Sequence, residues 1–366
     1  MSKFKLSILL TFCLLWAGQL IASGSQLDIK LGMSVAMTGP ASKIGQQLAK
    51  GSQIYFNQLN KEGGIHGAQV ELEVKDDGYE PNHTVNNTRY FIYDKKVHAL
   101  FGYMGTPTTS AIKSILEHAQ TPLLMPYTGA AFLREKPSFN VFNLRASYLD
   151  EAIEQINYLV DELGHSQIAL LIQADEFGIT LQKSLTAALK MKGLTPQAIG
   201  RFRRNTNEVE KALKLINTTN ATAVAMVGTF EPLAHFIHLS QKQNKQFVFT
   251  SVSFASSEDL FNELTLPSKL MITEVVPSPT KCTGKICEQF RAAIQEHALP
   301  ETHAIFEGYL NALVFSRAAK MCPLPYNNAC VLKALNNVIK QDPELRHLFK
   351  IKSMQKNLPI FRSYHT

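Results

Sequence analysis

Polar loops that follow predicted strands are the places where this sequence could do chemistry. Segment 38–45 follows the first predicted strand, and segment 105–110 follows the third and opens a helix. Hydroxyls and free backbone N–H groups at a helix start can bind a carboxylate. The same hydroxyls can also act simply as helix caps, and both roles can hold together, since a capping residue leaves neighbouring donors free. Another polar loop, 126–130, follows the fourth predicted strand, so these loops predict a ligand site.

Motifs for catalysis or cofactor binding do not occur in the sequence. We find no G-x-S-x-G nucleophile elbow, no H-E-x-x-H zinc helix and no phosphate-binding loop. Gly63, Gly64 and Gly67 follow a predicted helix rather than a strand, so they indicate a turn and not a dinucleotide site. Glu73, Asp76 and Asp77 could pair as an acid and a base, although a solvated loop at the end of a strand is the simpler interpretation. The sequence therefore predicts a protein that is not an enzyme and binds no cofactor or metal.

The composition is that of an ordinary soluble protein. The chain has 366 residues, of which 45% are hydrophobic and 18% charged, and its formal net charge is +7. The length suggests roughly two domains of about 100–200 residues each. The basic residues are scattered, whereas nucleic-acid-binding proteins concentrate them on one face or stripe. We therefore expect no nucleic-acid partner.

Residues 1–24 have the pattern of a secretory signal peptide. Lys3 and Lys5 make a basic start, an apolar run follows over 6–17, and small residues surround position 24. The apolar run is shorter than the ~20 residues that span a membrane, although an uncleaved anchor is the alternative. Cys13 lacks the small preceding residue that a lipoprotein needs. We predict cleavage near residue 24 or 25 and export of a soluble protein to the periplasm.

Export makes disulfides the expected state of the remaining cysteines. Four cysteines follow the signal peptide, and four allow three pairings. We favour the local pairs Cys282–Cys287 and Cys322–Cys330, with crossed pairing as the alternative. A zinc site would more often show two C-x2-C pairs, whereas these cysteines are separated by four and seven residues.

Strand-like and helix-like segments alternate from residue 28 onward, which predicts parallel sheets covered by helices on both faces. The first set has predicted strands at 28–37, 70–75, 99–103 and 123–125. A second set begins at 141–144 and continues at 167–173, 197–202, 221–227, 246–251 and 270–276. The run from Ile168 to Ile172 is apolar throughout, as a strand buried on both faces requires. The last three predicted helices must return to one of these units; they lie at 287–297, 303–321 and 330–339.

The segments at the strand ends resemble those of type I periplasmic solute-binding proteins, in the Leu/Ile/Val-binding branch that serves ABC importers. Each matching motif is weak alone, but their order and spacing over residues 28–340 are specific. The motifs lie at 34–40, 60–67, 76–77, 102–108, 126–130, 143–151, 175–178 and 306–309.

This resemblance implies an α/β protein of two doubly wound, Rossmann-like lobes joined by three hinge crossovers. Closure of the lobes would trap the solute between them. We place residues 25–145 and 276–344 in lobe 1, and residues 146–275 and 345–366 in lobe 2. The crossovers are then expected near 144–147, 274–277 and 342–348.

The resemblance also implies where a solute binds. Hydroxyls after the third strand, on Thr106 and Thr108, would hold a ligand carboxylate, with help from backbone groups of Tyr127, Thr128 and Gly129. The matching strand ends of lobe 2 carry Tyr148, Asp175, Phe177, Thr229, Phe230, Ser253 and Phe254. The aromatic members could stack on the solute or cover it, but Phe230 fits core packing better.

Ser253 departs from the pattern of amino-acid binders, which often carry a carboxylate near this position for the ligand ammonium. Either Asp175 or Glu231 takes over this role, or the ligand has no ammonium. The implied function is capture of a small organic solute, such as an amino acid or a related carboxylate, amide or aromatic acid, for the permease of an ABC importer. The alternatives are a periplasmic sensor subunit and, less favoured, a secreted enzyme. We expect a monomer.

Overall fold

Two sheets organise the chain in the computed structural model, which describes residues 28–135, 139–351 and 358–366. The predicted signal peptide therefore lies outside the described residues. The first sheet is parallel and has the strand order β2-β1-β3-β4-β5. Its strands are β1 (Ile29–Val35), β2 (Val70–Asp76), β3 (Ala99–Phe101), β4 (Leu123–Leu124) and β5 (Val141–Phe142).

The strand β5 corrects one sequence prediction. Segment 141–144 was expected to begin the second set, but Val141 and Phe142 pair with Leu123 and Leu124 of β4. This strand therefore completes the first sheet at its edge, next to β4.

The second sheet has six strands in the order β11-β10-β9-β8-β6-β7. Its central strands are buried along their whole length, as the apolar run in β6 predicts. The last strand, which the sequence reading missed, pairs antiparallel with β10 at the edge. The strands are β6 (Ile168–Gln173), β7 (Ile199–Phe202), β8 (Ala223–Val227), β9 (Val248–Ser251), β10 (Leu270–Glu274) and β11 (Phe361–His365).

Helices cover both sheets, so the α/β class and the two-lobed fold are confirmed. The helices of the first half are α1 (Ser42–Lys61), α2 (Pro81–Arg89), α3 (Thr106–Ala111), α4 (Lys113–Ala119), α5 (Tyr148–Asn157) and α6 (Glu176–Met191). Those of the second half are α7 (Glu210–Asn217), α8 (Phe230–Lys242), α9 (Ser257–Glu263), α10 (Lys285–Glu296), α11 (His303–Ala319), α12 (Asn328–Gln341) and α13 (Pro343–Leu348).

The late helices return to the first lobe, as predicted, and α11 packs directly on α1. Two glycines permit the close approach of these helices. A Cβ atom on Gly51 would lie 2.0 Å from the carbonyl oxygen of Ile305, and one on Gly308 would lie 2.1 Å from that of Leu48. Ser52 Oγ also donates a hydrogen bond to the Gly308 carbonyl oxygen at 2.9 Å. The crossing therefore depends on residues without side chains at the contact.

The position of α13 differs from the expected third crossover at 342–348. Leu345 and Leu348 are buried in the same cluster as residues of α10, α11 and α12, which belongs to the first lobe. The apolar side of this short helix needs that core, so the chain returns to the second sheet only after Leu348. The exact lobe boundaries that we assigned remain a prediction.

Both local disulfides are present, Cys282–Cys287 and Cys322–Cys330, as the preferred pairing predicts. The first precedes and enters α10, and the second joins the end of α11 to the first turn of α12. Within the described ranges, no helix is both long enough and apolar enough to cross a membrane.

Candidate functional site

Three buried hydroxyls meet between the two lobes. Thr106 Oγ1 lies 2.8 Å from Thr128 Oγ1 and 3.2 Å from the Tyr148 hydroxyl, and Thr128 Oγ1 lies 3.1 Å from that same hydroxyl. We call this group the hydroxyl triangle. Thr106 starts α3 after β3, Thr128 follows β4, and Tyr148 starts α5. The triangle thus lies at the carboxyl ends of parallel strands, where ligands bind in sheets of this kind.

Local capping explains why Tyr148 reaches the triangle. Ser147 Oγ accepts from the backbone N–H of Asp150, and the Asp150 carboxylate accepts from the Ser147 backbone N–H, so both helix-end groups are satisfied. This capping box fixes the start of α5 at Tyr148. The backbone N–H of Tyr148 donates to the Gly129 carbonyl oxygen at 2.9 Å. A Cβ atom on Gly129 would lie 2.5 Å from the Tyr148 ring, so glycine makes room for this ring.

A cluster of five aromatic rings surrounds the triangle and bridges the lobes. Phe254 is its centre, with ring centroids 5.8 Å from Tyr79, 5.4 Å from Tyr127 and 4.7 Å from Phe177. Phe177 in turn lies 5.6 Å from Tyr148. No member is more than 2% exposed, so the rings fill the closed cleft against one another.

Tyr79 belongs to this cluster although the sequence reading did not select it. The residue follows β2, and its φ of 61° is in the left-handed region, where Asp77 Oδ1 accepts from its backbone N–H at 2.9 Å. Asp77 is itself buried and accepts from Ser34 and Thr84, so it builds this turn rather than a solvated loop. Tyr79 could have been predicted as a site residue from its position, because it follows the carboxyl end of a strand, as the predicted residues do.

Other predicted residues lie apart from the triangle. Thr108 is buried, but its hydroxyl donates to the carbonyl oxygens of Met104 and Gly105 at the start of its own helix. Asp175 caps α6, accepting from the Gly178 backbone N–H at 3.1 Å and from Gln173 at 2.7 Å. Burial raises the pKa of the Asp175 carboxyl.

Thr229 and Phe230 lie at the start of α8, and both are buried. The Lys43 ammonium of lobe 1 stands 5.4 Å from the centroid of the Phe230 ring. Phe230 therefore meets the opposite lobe near the edge of the cleft, without a ring contact to the five-ring cluster.

Ser253 takes part in a buried charge network behind the cleft. Arg145, between β5 and α5, donates to Ser253 Oγ and to both carboxylate oxygens of Glu307, at 3.1 and 2.9 Å from the latter. The Ser253 backbone N–H donates to Glu151 at 2.8 Å. The Arg145 guanidinium also stacks on the Tyr127 ring, 3.9 Å from its centroid. This network links the back of the cleft to α11 of the first lobe.

Burial sets the ionisation of this network. It raises the pKa of Glu307 to about 7, although Arg145 opposes the shift, and it raises the pKa of Glu151.

His303, on α11, lies 2.5 Å from Glu258 and 3.7 Å from Glu274. Burial alone would lower its pKa, but Glu274 and Glu258 raise it to about 9. In the cleft itself, burial raises the pKa of Tyr148, so its hydroxyl stays protonated.

Ion pairs across the cleft join the lobes at two places on its rim. Lys43 Nζ lies 2.7 Å from Asp259 Oδ1, and Arg204 Nη2 lies 2.6 Å from Glu80 Oε2. Asn205 also donates to Glu80 at 2.9 Å. The geometry is therefore that of a closed cleft. Over the described ranges, no group of His, Cys, Asp and Glu is arranged to hold a metal ion.

The chain matches the model of the family described as periplasmic binding protein over residues 28–353. Among curated relatives, the Leu/Ile/Val-binding protein homolog 3 of Brucella melitensis is 25% identical over 174 residues, which are 48% of this chain and 47% of that protein. The matched segment spans about half the length of the curated relatives.

Solved structures resemble the chain over more of its length. A possible leucine/isoleucine/valine-binding protein from Rhodopirellula baltica has a TM-score of 0.85 and 26% identity, covering 93% of this chain and 95% of that one. A branched-chain amino acid transporter substrate-binding protein from Streptococcus pneumoniae, solved with isoleucine, has a TM-score of 0.75 and 18% identity. It covers 85% of this chain and 88% of its own, and it supports the fold alone.

Proposed function

Because this chain belongs to the periplasmic binding protein family, we propose that it captures a small organic solute between its lobes and delivers it to the permease of an ABC importer. The family consists of solute-binding proteins that perform no catalysis. We place the protein in the periplasm, in agreement with its two disulfides and the pattern of residues 1–24. It would act there as a monomer.

The observation that carries the proposal is the hydroxyl triangle between the lobes. Thr106 and Thr128 project from neighbouring strand ends of lobe 1, and their hydroxyl oxygens lie 2.8 Å apart, so both hydroxyls can turn toward one acceptor. A carboxylate or amide oxygen placed there would accept from both. Hydrogen bonds to a charged acceptor are stronger than those between neutral groups, which favours a carboxylate.

The solute class follows from the rest of the cleft. Phe177 and Phe254 of lobe 2 would cover the apolar part of the solute, with Tyr79 and Tyr127 of lobe 1 opposite them. We propose an amino acid or a related carboxylate, amide or aromatic acid. Branched-chain ligands are named for relatives, and the Streptococcus pneumoniae structure holds isoleucine. These names support the broad class.

The test is calorimetric titration of the purified protein with a panel of L-leucine, L-phenylalanine, benzoate and benzamide. Thr106→Val should weaken the binding of a carboxylate by about tenfold or more, because it loses a hydrogen bond to a charged group. Thr109→Val is the matched control, since the Thr109 hydroxyl donates to the Gly105 carbonyl oxygen of its own helix. Equal affinities of wild type and Thr106→Val would remove Thr106 from the site. Failure of every probe to bind would contradict the proposed function.

A further inference from the structure

Tyr148 occupies the point where the solute's polar group is expected. Its hydroxyl completes the hydroxyl triangle, 3.2 Å from Thr106 Oγ1 and 3.1 Å from Thr128 Oγ1. Each hydroxyl has one proton and two acceptor lone pairs, so the three groups satisfy one another. The side chain is 1% exposed. In the closed cleft, the hydroxyls that would bind a solute are therefore already bonded to a residue of the protein.

The Tyr148 ring is held as firmly as its hydroxyl. One side lies against Gly129, where a Cβ atom would approach to 2.5 Å. Another packs on Phe177, with the ring centroids 5.6 Å apart. The ring thus lies fixed beside the triangle, and its hydroxyl is the group that a solute must displace from Thr106 and Thr128.

Tyr148 also joins the lobes. It begins α5, which packs on α6 and β10 of the second lobe, whereas Thr106 and Thr128 belong to strand ends of the first sheet. Its hydroxyl bonds are therefore interlobe bonds, of the kind that a bound solute would make.

We propose that Tyr148 is a specificity-determining residue that competes with the solute for Thr106 and Thr128, an inference that rests on the proposed function. A solute binds only if its own polar group displaces the phenol hydroxyl from both threonines. A carboxylate does so best, because its bonds are charge-assisted, and an amide oxygen does so less well. Tyr148 thereby excludes solutes that have no acceptor able to compete with the phenol hydroxyl for the two threonines.

Two measurements on Tyr148→Phe test this proposal. The variant keeps the ring and removes only the interlobe hydroxyl. Small-angle scattering of the solute-free proteins should show a compact wild type and a larger radius of gyration for the variant. Titration with benzoate, benzamide, L-leucine and L-phenylalanine should show affinity raised by about tenfold for the probes that bind, the equivalent of one to two hydrogen bonds.

Tyr103→Phe is the matched control. Tyr103 is also fully buried, and its hydroxyl accepts from Thr88 at 3.2 Å within the first lobe. Loss of the Tyr103 hydroxyl should change neither the radius of gyration nor the affinity for the probes.

The outcomes separate this proposal from the proposed function. A Tyr148→Phe protein as compact as the wild type would overturn the proposal, and so would weaker binding, which would make the hydroxyl a contact of the solute. If no probe binds either protein, the proposed function fails, while the scattering result still decides the role of Tyr148.

Discussion

At the scale of single residues, Arg145 has the greatest influence on the back of the cleft. It is the buried cation that connects Glu307 of lobe 1 with Ser253 of lobe 2 and with the Tyr127 ring. Removing one partner of a buried pair leaves the other charge without compensation, which costs about 3–5 kcal/mol. The pair is therefore a constraint that keeps the hinge region in one arrangement.

His303 predicts how stability depends on pH. Its folded-state pKa is raised to about 9 from 6.5 by Glu274 and Glu258. The stabilisation is thus complete below pH 6.5 and is lost as pH rises through about 9. His303→Gln should flatten the fall of the free energy of unfolding across this interval, measured by urea denaturation at several pH values.

The exposed His297 provides the control for this experiment, since His297→Gln should keep the wild-type pH profile. If the free energy of unfolding of His303→Gln fell with pH as steeply as that of the wild type, the assignment of this pH dependence to His303 would be wrong.

At the scale of elements, much of the fold could be predicted from the sequence. The apolar runs of β6 and β8 mark strands buried on both faces, and glycines at 63, 64 and 67 mark the turn before β2. The missed elements are α9, α13 and β11, which are short, and α13 and β11 also depend on partners from distant parts of the chain. The pattern of apolar and polar residues within a short segment cannot indicate partners that lie far away in the sequence.

The site was predictable only in part, for a similar reason. Strand-end position selected the loops of Thr106 and Thr128, whose hydroxyls meet in the structure, and the resemblance added Phe254, which packs on Tyr127. The contact of Arg145 with Glu307 joins residues 162 positions apart, and nothing in the local sequence indicates it. The hydroxyl of Thr108 turns into its own helix, a direction that spacing cannot reveal.

The α1–α11 crossing makes a prediction about Gly308. Glycine to alanine inside a helix normally stabilises a protein by about 1 kcal/mol. Here the new Cβ would lie 2.1 Å from the Leu48 carbonyl oxygen, so the helices must separate. Gly308→Ala should reduce the free energy of unfolding by about 1–3 kcal/mol, as overpacking does.

Lys50→Ala is the control for this change, because Lys50 is exposed on α1 beside Gly51 and should have little effect. A stabilised Gly308→Ala protein, observed by chemical denaturation, would show that the crossing is looser than described.

At the scale of the whole molecule, closure joins surfaces that are far apart in the chain. The rim pairs Lys43–Asp259 and Arg204–Glu80 connect the lobes at the start of α1 and just after β2, while the rings meet inside. The ion pairs are partly exposed, so each contributes little alone. The buried rings and hydroxyls supply the larger share of the interlobe contact.

Loss of the two rim ion pairs should shift the equilibrium from the closed form of the protein toward the open form. Combining Lys43→Met with Glu80→Gln should lower the affinity for a bound probe by about threefold to tenfold, since two exposed pairs are lost. Scattering of the solute-free double variant should show expansion. Lys192→Met, which removes a 2.6 Å pair with Asp161 inside the second lobe, should leave both measurements unchanged. Identical behaviour of the two variants would exclude a role of the rim in closure.

The return of α11 to α1 and of β11 to β10 has a consequence for the order in which the protein can be assembled. When the chain emerges with its amino end first, most strands of both sheets emerge before the segments that complete the two lobes. The first lobe lacks α11 until residue 319 has emerged, and the second lacks its edge strand until residue 365. Neither lobe can therefore finish folding before these late segments are available. Completion of both lobes is therefore a late event in the folding of the chain.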